Sequence, residues 1–464
     1  MHGLPEDLKR RLREHGQPHV IACWDGLGPD ERLALLDQLR ALDLELLHRL
    51  YQQKDQTFAL PARDKIQPAP ITRLTAAHAR ERMLGEEALR RGEVTVLMVA
   101  GGQGSRLGFE HPKGMFAIGP VSNNCLFQIH AEKVLALRRR FGRPVPFLIM
   151  TSPATHAETV EFFKQHDSFG LPADEVHFFQ QGTMPALDHA TGQLLFEAPG
   201  RLFLGPNGHG GTLTALTDCG LLDRLRGHGI KHIFYFQVDN PLGKIADPLF
   251  LGHHLAERAE VSSKIIPKDG PADRLGNLVM VDGRCTMIEY SDLPEDLARE
   301  TDAEGNLRLR AGSPAIHIFD VAFLERVTRG ETRMPYHVAH KKVPHMDATG
   351  TLVKPERENA LKFELFIFDV LPFADRWTVV ETSRREEFAP LKNATGADSP
   401  ERVRQAISDL AGDWLSQANV TVPRRADGSV AVPLEISPLY ALDAEQLKAK
   451  VNPTLRIEGP TYVV

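Results

Sequence analysis

The sequence has few cysteines and no long apolar run. Its four cysteines lie far apart and form neither a CxxC pair nor a metal-binding spacing, which indicates a reducing compartment. They are Cys23, Cys125, Cys219 and Cys285. No uninterrupted apolar stretch reaches the ~18 residues that a membrane-spanning helix needs, and the N-terminal stretch MHGLPEDLKRRLREHG has no apolar segment that could serve as a signal peptide. We therefore expect a cytoplasmic protein that does not bind membranes.

An excess of positive charge is also missing, since the formal net charge is −6. This argues against a protein that binds nucleic acid or membrane surfaces without specificity, so any anionic substrate must be held by a local group of cations. Hydrophobic residues make up 42% and charged residues 25% of the 464 residues, which is ordinary for a soluble globular protein. The length suffices for about three domains.

The stretch Val94–Gly114, VTVLMVAGGQGSRLGFEHPKG, joins a buried-strand pattern to a glycine-rich loop. Val94–Ala100 is a nearly continuous apolar run rich in β-branched residues, which is typical of a central strand covered on both faces. The loop glycines are Gly101, Gly102, Gly104 and Gly108. They leave room for a phosphate to approach backbone N–H groups, and Arg106 and Lys113 supply positive charge. The pattern predicts a nucleotide phosphate site.

Two familiar phosphate loops do not fit this stretch. A dinucleotide fingerprint fails because three residues, not two, separate Gly104 from Gly108, which argues against a dinucleotide-dependent dehydrogenase. A Walker loop fails because Lys113 is followed by Gly114 and not by serine or threonine. The residues alone leave open an ordinary strand-to-helix turn.

Strand-like runs alternate with helical ones after this stretch. The strand-like runs are Pro146–Thr151, Val176–Gln180 and Ile233–Val238, and the helical ones are about Cys125–Phe141 and Ala154–His166. This alternation predicts a mostly parallel sheet with helices on both faces, whose ligands lie at the carboxyl ends of the strands. Gly101–Gly108, Gln181 and Asp239 directly follow strand-like runs, so we expect them to converge.

The flanking regions carry other patterns. A helix is predicted from Pro29 with one apolar stripe formed by Leu35, Leu39, Leu42, Leu46 and Leu50. We expect this helix to pack on its own protein, because the stripe is too short for a coiled coil. The segment Gln67–Ile71 breaks the helical pattern and leads to the core. Asp282-Gly283 signals a hairpin, and helices are expected near Pro400–Leu415 and Asp443–Lys450.

The loop sequence A-G-G-x-G-[ST]-R-L-G followed by P-K-G resembles the signature of the eukaryotic-type UDP-sugar pyrophosphorylase family. Further blocks occur in the family's order: Phe178–Gly182, Gly208–Gly211, Gln237–Leu242, Ile288–Asp292, His337–Lys342, Leu361–Asp369 and Phe388–Gly396. The resemblance implies an α/β fold with a Rossmann-like mixed-sheet nucleotidyltransferase core. It implies a helical N-terminal region over 1–90, a catalytic domain over 91–385 with an antiparallel sugar-binding insertion, and a small C-terminal domain over 386–464.

The resemblance also implies a reaction. A sugar-1-phosphate oxygen attacks the α-phosphorus of UTP and gives a UDP-sugar and pyrophosphate, so the protein positions two polyanions and neutralises their charge. By the family match, Arg106 and Lys113 clamp the triphosphate, Lys392 holds the sugar phosphate and Asp239 holds Mg²⁺. The expected nucleotide-binding residues are Val99, Ala100, Gly101, Gly102, Gln181, Gly208 and Lys362. The expected sugar-binding residues are His209, Glu289, Tyr290, Ser313 and Lys392.

Residue chemistry alone leaves alternatives for this set. Asp239 could cap the Asp-Asn-Pro turn, and Arg106, Lys113 and Lys392 could be solvated loop cations. Lys362 lies in the apolar stretch LKFELFIFD, where a lysine is rarely buried without an anion. A non-catalytic UDP-sugar sensor is the alternative of another class, and the complete set of cations argues against it.

The identity of the sugar depends on two departures from the family pattern. His209 and Ser313 stand where the N-acetylglucosamine enzymes of the family carry asparagines, and related glucose-1-phosphate enzymes share the G-H-G loop but have an acidic residue where Gly211 stands. We therefore expect glucose-1-phosphate as the substrate, because lost amide contacts penalise an N-acetyl sugar. N-acetylglucosamine-1-phosphate is the alternative. A monomer is favoured over an oligomer, with UTP and a sugar phosphate as the only partners.

Overall fold

Contacts divide the chain into two compact units in the computed structural model, which describes residues 3–55, 60–74, 78–330, 334–347 and 349–464. The first unit comprises Met1–Leu60, Gln181–Gly211 and Met334–Asp369, and the second comprises Pro61–Gln180, Thr212–Arg333 and Val370–Val464. The three-part division of the sequence at 90 and 385 stays a prediction. Within the described residues, no helix has the length and apolar character needed to span a membrane.

A mixed sheet forms the centre of the second unit. From edge to edge its strands are Ile66–Pro68, Asn277–Val281, Ala311–Gly312, Val261–Pro267, His317–Asp320, His232–Gln237, Val94–Val99, Phe147–Thr151 and Val176–Gln180. Three further strands belong to the sheet but lie outside this order: Arg284–Ile288, Trp377–Glu381 and Thr72–Arg73. The last four strands of the path are mutually parallel, and the predicted central strand is confirmed because Val94–Val99 is buried between two parallel neighbours. The expected mixed α/β core is therefore present.

Helices cover this sheet because its central strands are apolar on both faces. They are Ala79–Arg90, Leu126–Phe141, His156–Gln165, Gly211–Asp218, Leu221–Gly227, Pro248–Ala256, Glu295–Ala298, Val321–Arg329, Arg384–Glu387, Pro400–Gln417 and Ala444–Lys450. Val96 and Met98 belong to one apolar cluster with Phe127 and Phe250 from two of these helices. The four helices predicted in this part of the chain are confirmed, with small shifts of their ends.

The predicted hairpin at Asp282-Gly283 is confirmed. The two residues join Asn277–Val281 to Arg284–Ile288 and have φ values of 48° and 79°, the left-handed values that a two-residue hairpin turn requires. The segment before the core also behaves as expected, because Ile66–Pro68 pairs with Asn277–Val281 and so brings the chain to the sheet.

In the part of the first unit that the structure describes, four helices combine with short strands. The helices are Glu6–Glu14, Pro18–Trp24, Pro29–Ala41 and Leu44–Gln52. The strands are Thr183–Pro185, Leu187–Asp188, Phe196–Ala198, Arg201–Leu202, Leu204–Pro206, His337–Lys341, His345–Met346, Leu352–Val353 and Ala360–Glu364. Leu35 and Leu39 pack in one apolar cluster with Leu361 and Phe363, so the expected packing of the N-terminal helices on their own protein is confirmed.

The prediction of a single leucine stripe on one helix is wrong. Leu42 is extended, with φ −84° and ψ 135°, and it ends the helix that began at Pro29. Asp43 then starts a second helix, and its side chain accepts a hydrogen bond from the Leu46 backbone N–H at 2.9 Å. Leu35 and Leu39 therefore lie on one helix and Leu46 and Leu50 on the next, with Leu42 between them, and the second helix buries Leu44, Leu47 and Leu50.

The end of the chain carries its own apolar cluster. The helices Pro400–Gln417 and Ala444–Lys450 contribute Leu415 and Leu447 to it, and the parallel strands Leu434–Ile436 and Thr461–Val463 complete it.

Candidate active site

The glycine-rich loop after Val94–Val99 folds back on itself. The Lys113 N–H donates to the Gly102 carbonyl at 3.0 Å, and the Gly104 N–H donates to the His111 carbonyl at 2.9 Å. The structure explains why two of these positions are glycine. A Cβ on Gly104 would lie 2.7 Å from the Phe109 carbonyl oxygen, and Gly108 has φ +69°, which favours glycine. A Cβ on Gly102 would meet nothing within 4 Å, which leaves open space beside the backbone.

The predicted convergence of strand ends is confirmed in the second unit. Val238 donates a backbone hydrogen bond to Val99, so the ends of two neighbouring strands lie side by side. Lys113 Nζ consequently lies 3.6 Å from Asp239 Oδ2, and both side chains are largely buried. Among the described residues, the Asp239 carboxylate accepts no hydrogen bond from the turn that follows it. The geometry therefore disfavours the capping alternative for Asp239.

Lys392 is tied to the same place through the backbone. The Leu391 N–H donates to the Asp239 carbonyl at 2.8 Å. The Asn240 side chain fixes the segment that precedes Lys392. Its amide NH₂ donates to the Glu387 carbonyl at 2.7 Å, and its amide oxygen accepts from the Ala389 N–H at 3.1 Å. The backbone beside Lys392 thus contacts the backbone of Asp239, and Asp239 pairs with Lys113, whereas Arg106 lies exposed on the loop. The sequence analysis missed Asn240.

A buried ion pair supports this segment and was also missed. Lys264 Nζ, whose side chain is fully buried, donates to both carboxylate oxygens of Glu387 at 2.7 Å and to Asp247 at 3.1 Å. The sequence did contain a signal for this ion pair, because Lys264 interrupts the apolar stretch VSSKIIP as Lys362 interrupts LKFELFIFD.

A cavity of about 990 Å³ borders Glu387. None of the predicted site residues lines it, so the substrates are not placed there.

Two of the predicted sugar-binding residues of the second unit are brought together. The Ser313 N–H donates to the Gly276 carbonyl at 3.0 Å, and a Cβ on Gly276 would lie 3.1 Å from Glu289 Oε1. Tyr290 is 47% exposed, which leaves its ring available to a ligand. Asn277, missed in the sequence, holds the region together by donating to the Ile288 carbonyl and accepting from Lys268.

In the first unit, Gln181 and Gly208 lie around Asn207. Gln181 is 8% exposed, and the next residue, Gly182, accepts a hydrogen bond from the Asn207 N–H at 3.0 Å. Gly208 has φ +83°, and a Cβ there would lie 2.4 Å from the Leu365 carbonyl oxygen, so no other residue fits. Asn207 Oδ1 is buried with no hydrogen-bond partner among the described residues, and it marks a polar group that a ligand could satisfy.

His209 is held as a neutral ring with a defined tautomer. The Ile367 N–H donates to its Nδ1 at 3.2 Å, and the ring stacks on Phe366 with centroids 5.4 Å apart. Burial, with a smaller contribution from the charge of His337, lowers the pKa of His209 to about 4. At neutral pH the proton is therefore on Nε2, which makes that atom a hydrogen-bond donor.

Lys362 lies on the strand Ala360–Glu364, half-buried as its apolar context predicted. Its Nζ is 4.8 Å from the centre of the Phe203 ring, and burial lowers its pKa, partly offset by Glu364. The same surroundings that disfavour an isolated ammonium would favour it beside a phosphate.

The comparisons with known proteins agree on a family. The family model described as UTP–glucose-1-phosphate uridylyltransferase matches residues 44–398. The chain is 36% identical to UDP-N-acetylhexosamine pyrophosphorylase-like protein 1 of Xenopus tropicalis, with 96% of this chain and 93% of that protein covered. It is also 36% identical to UDP-N-acetylglucosamine diphosphorylase 2 of Arabidopsis thaliana, with 95% and 91% covered.

A solved structure extends this agreement to the fold. The chain resembles the uridine diphosphate N-acetylglucosamine pyrophosphorylase of Trypanosoma brucei with a TM-score of 0.81 and 27% identity, over 97% of this chain and 95% of that one. The phosphate loop, the charges at the strand ends and these similarities lead to one conclusion. The chain belongs to the UDP-sugar pyrophosphorylase family and is a nucleotidyltransferase that acts on UTP and a sugar-1-phosphate.

Proposed function

We propose that the protein transfers the uridylyl group of UTP to N-acetylglucosamine-1-phosphate. A phosphate oxygen of the sugar attacks the α-phosphorus, the bond from that phosphorus to the bridging oxygen of the β-phosphate breaks, and pyrophosphate leaves without a covalent enzyme intermediate. The observation that carries this proposal is the contact of Lys113 with Asp239 beside the glycine loop, with the backbone next to Lys392 hydrogen-bonded to Asp239. Position and charge are what this chemistry requires from a protein.

Each charged group has a defined task in the proposal. Arg106 and Lys113 neutralise the triphosphate, and Lys392 holds the sugar phosphate. Asp239 would hold Mg²⁺, for which one carboxylate is a fitting protein ligand because phosphates and water complete the shell. When bound, the ion neutralises charge on the departing pyrophosphate.

The nucleotide has its own set of residues in the proposal. The backbone of Val99, Ala100, Gly101 and Gly102 lies against the nucleotide, and Gln181 and Gly208 contact the uracil. A glutamine amide both donates to and accepts from a base edge, and a glycine lets the base approach the backbone. Lys362 adds charge at the nucleotide phosphates.

The sugar follows from the similar proteins and from hydrogen-bond chemistry. The relatives that share about a third of the sequence are named for N-acetylated hexosamines, which favours the alternative over glucose-1-phosphate. His209 Nε2–H can donate as an asparagine amide does, so this substitution keeps a donor for an acetyl carbonyl. Ser313 Oγ accepts from the Ala315 N–H at 3.2 Å, and its own hydroxyl proton is left to donate. With Glu289 and Tyr290, these residues form the proposed sugar contacts.

Glucose-1-phosphate is the second candidate. It is favoured by the replacement of two asparagines by His209 and Ser313, because a shorter or differently placed donor weakens contact with an acetamido group.

A panel of sugar-1-phosphates tests the proposal. Pyrophosphate release is measured with UTP, Mg²⁺ and either N-acetylglucosamine-1-phosphate or glucose-1-phosphate, for the wild type and for His209→Ala, His209→Asn and Lys392→Ala. We expect kcat/KM for the acetylated sugar to exceed that for glucose by roughly tenfold or more. His209→Ala should lower this ratio, His209→Asn should keep it, and Lys392→Ala should lose activity with both sugars.

A higher kcat/KM for glucose-1-phosphate would select the second candidate. Full activity of Lys392→Ala would contradict the assigned site. A cytoplasmic location and a monomeric state stay predictions.

A further inference from the structure

A second group of metal-binding side chains lies at the other end of the strand that precedes Asp239. His232 is the first residue of His232–Gln237, so it is about 17 Å along the strand from Gln237. It pairs in register with Asp320, the last residue of the antiparallel strand His317–Asp320. His254, from the helix Pro248–Ala256, reaches the same carboxylate. Three elements distant in sequence therefore direct imidazole and carboxylate groups to one point.

The three groups are already within metal-binding range of one another. His232 Nδ1 lies 2.7 Å and His254 Nε2 lies 2.9 Å from the same Asp320 oxygen, Oδ1. The three ligand atoms all lie within 4.8 Å of one another. Ligands of a tetrahedral ion at about 2.0–2.1 Å are about 3.3 Å apart, so small side-chain rotations admit an ion.

Two further contacts fit a metal site better than a simple hydrogen-bonded cluster. Asp320 occupies the N-cap position of the helix Val321–Arg329, yet its carboxylate makes no capping hydrogen bond and is directed to the histidines. The other ring nitrogen of His254, Nδ1, lies 2.7 Å from Ser262 Oγ, the kind of outer contact that orients a metal-bound imidazole.

The three groups differ in their exposure to water. The imidazoles are buried, with side chains 8% and 1% exposed, while Asp320 is 28% exposed and offers a side open to water.

We propose that His232, His254 and Asp320 bind a zinc ion that joins the strand, the helix and the Asp320 turn, separate from the catalytic site. Two imidazole nitrogens and one carboxylate oxygen are a typical zinc ligand set, and water takes the fourth position beside Asp320. His232 Nδ1 and His254 Nε2 would bind the ion, which leaves His254 Nδ1 in contact with Ser262 Oγ.

Zinc content of the whole chain tests this proposal. Protein treated with EDTA is incubated with zinc sulfate, freed of excess metal by gel filtration and analysed by mass spectrometry for zinc. We expect about one zinc ion per chain in the wild type, and at least about a tenfold loss of affinity in His232→Gln and in Asp320→Asn. Zinc should also raise the Tm of the wild type but not that of the variants.

Three matched variants separate this site from other zinc ligands. Asp239→Asn removes the catalytic carboxylate, Cys219→Ser an exposed thiol and His228→Gln an exposed imidazole, and all three should keep the ion. Absence of zinc from the wild type, unchanged zinc in folded His232→Gln and Asp320→Asn, or loss of zinc in Asp239→Asn would overturn the proposal. If circular dichroism shows that the two test variants do not fold, anomalous diffraction from zinc-soaked wild-type crystals decides by the presence or absence of a peak among the three side chains.

Discussion

The contact between Lys113 and Asp239 has a defined role at the scale of single residues. Before substrates bind, an ammonium and a carboxylate 3.6 Å apart neutralise each other, which keeps two largely buried charges compatible. In the proposed reaction, a triphosphate and a magnesium ion would each supply a better partner for one member of the pair. The pair therefore holds the site ready without fixing either side chain in place.

Replacing Asp239 by asparagine should abolish most activity with little loss of stability. We expect kcat to fall by about 10²–10³-fold, because the ion loses its protein ligand while the amide keeps the shape of the side chain. The free energy of unfolding should change by about 1 kcal/mol or less, because the Lys113 side chain, 20% exposed, can still reach water when its partner is neutral. Pyrophosphate release over a range of Mg²⁺ concentrations and urea unfolding measure the two effects.

Asp282→Asn is the matched control for this variant. It removes an exposed Lys–Asp pair, with Lys65, at a hairpin turn where asparagine is equally suited, so activity should be unchanged. Wild-type kcat in Asp239→Asn would contradict the metal assignment.

Whether the sequence predicts the role of a residue depends on where the interaction partner of that residue lies. Asp239 was predictable because it ends a strand, and strand ends converge. Lys264 interrupts an apolar strand as Lys362 does, but the sequence does not say whether its partner is a ligand or a carboxylate of the same chain. That partner is Glu387, which only the folded chain brings to it. Asn207 and Asn240 gave no signal, because a short polar side chain in a turn is ordinary.

At the scale of elements, the segment from Glu387 to Lys392 is a loop held at both ends. Glu387 is fixed by Lys264, and Leu391 is fixed by the Asp239 backbone. The loop therefore transmits the position of a buried ion pair to Lys392, the lysine that we propose to hold the sugar phosphate.

Replacing Lys264 by methionine should destabilise the second unit by about 3–5 kcal/mol, since Glu387 is left as an unpaired buried carboxylate. The double variant Lys264→Met/Glu387→Gln should recover part of this loss, because residue 387 is no longer charged while Asp247 still lacks its contact with the Lys264 ammonium. Urea unfolding measures the stability. The single variant should also raise KM for the sugar phosphate, because Lys392 loses its fixed support.

Lys231→Met is the matched control, because Lys231 is 62% exposed and its partner Glu93 keeps an ion pair with Arg91, so stability should change by about 1 kcal/mol or less. Equal effects of the two single variants would show that the buried pair has no special structural role.

Element prediction succeeded where local pattern and tertiary packing agree. The strand Val94–Val99 and the Asp282-Gly283 hairpin follow from apolar runs and turn chemistry. The leucine stripe failed because spacing alone was counted, although Asp43 is a strong N-cap residue and Leu42 can be extended before it. The sequence therefore contained two conflicting signals: the N-cap residue Asp43 predicts a new helix, and the periodic leucine spacing predicts one continuous helix.

At the scale of the whole molecule, the first unit is assembled from three separate stretches of chain. Leu35 and Leu39 share an apolar cluster with Leu361 and Phe363, which lie hundreds of residues away in the sequence. Composition changes along the chain cannot reveal such a unit, since no linker marks its edges. The family resemblance predicted the α/β core, because that depends on local blocks in order.

The stability of the second unit should depend on pH through a buried histidine. His130 is fully buried beneath the strand that precedes Asp239 and donates from Nε2 to the Val238 carbonyl at 2.9 Å. Burial, aided by the charge of Lys133, lowers its pKa to about 3 against an ordinary value of 6.5. The unfolded chain therefore takes up a proton as pH falls below about 6.5 while the native ring stays neutral. The stability contribution is complete above that pH and is lost towards pH 3.

His130→Gln keeps a donor for Val238 and cannot be protonated. Between pH 7 and pH 5 the wild type should lose about 2 kcal/mol more of its free energy of unfolding than this variant does, as measured by urea unfolding followed by circular dichroism. His228→Gln, at an exposed histidine, should show the wild-type loss. If His130→Gln shows the same loss as the wild type, His130 binds its proton equally well in the native and the unfolded chain, and the prediction is wrong. Carboxylates cannot account for a loss in this range. Glu260, whose pKa Arg326 lowers to about 2 against the effect of burial, contributes only below about pH 4.5.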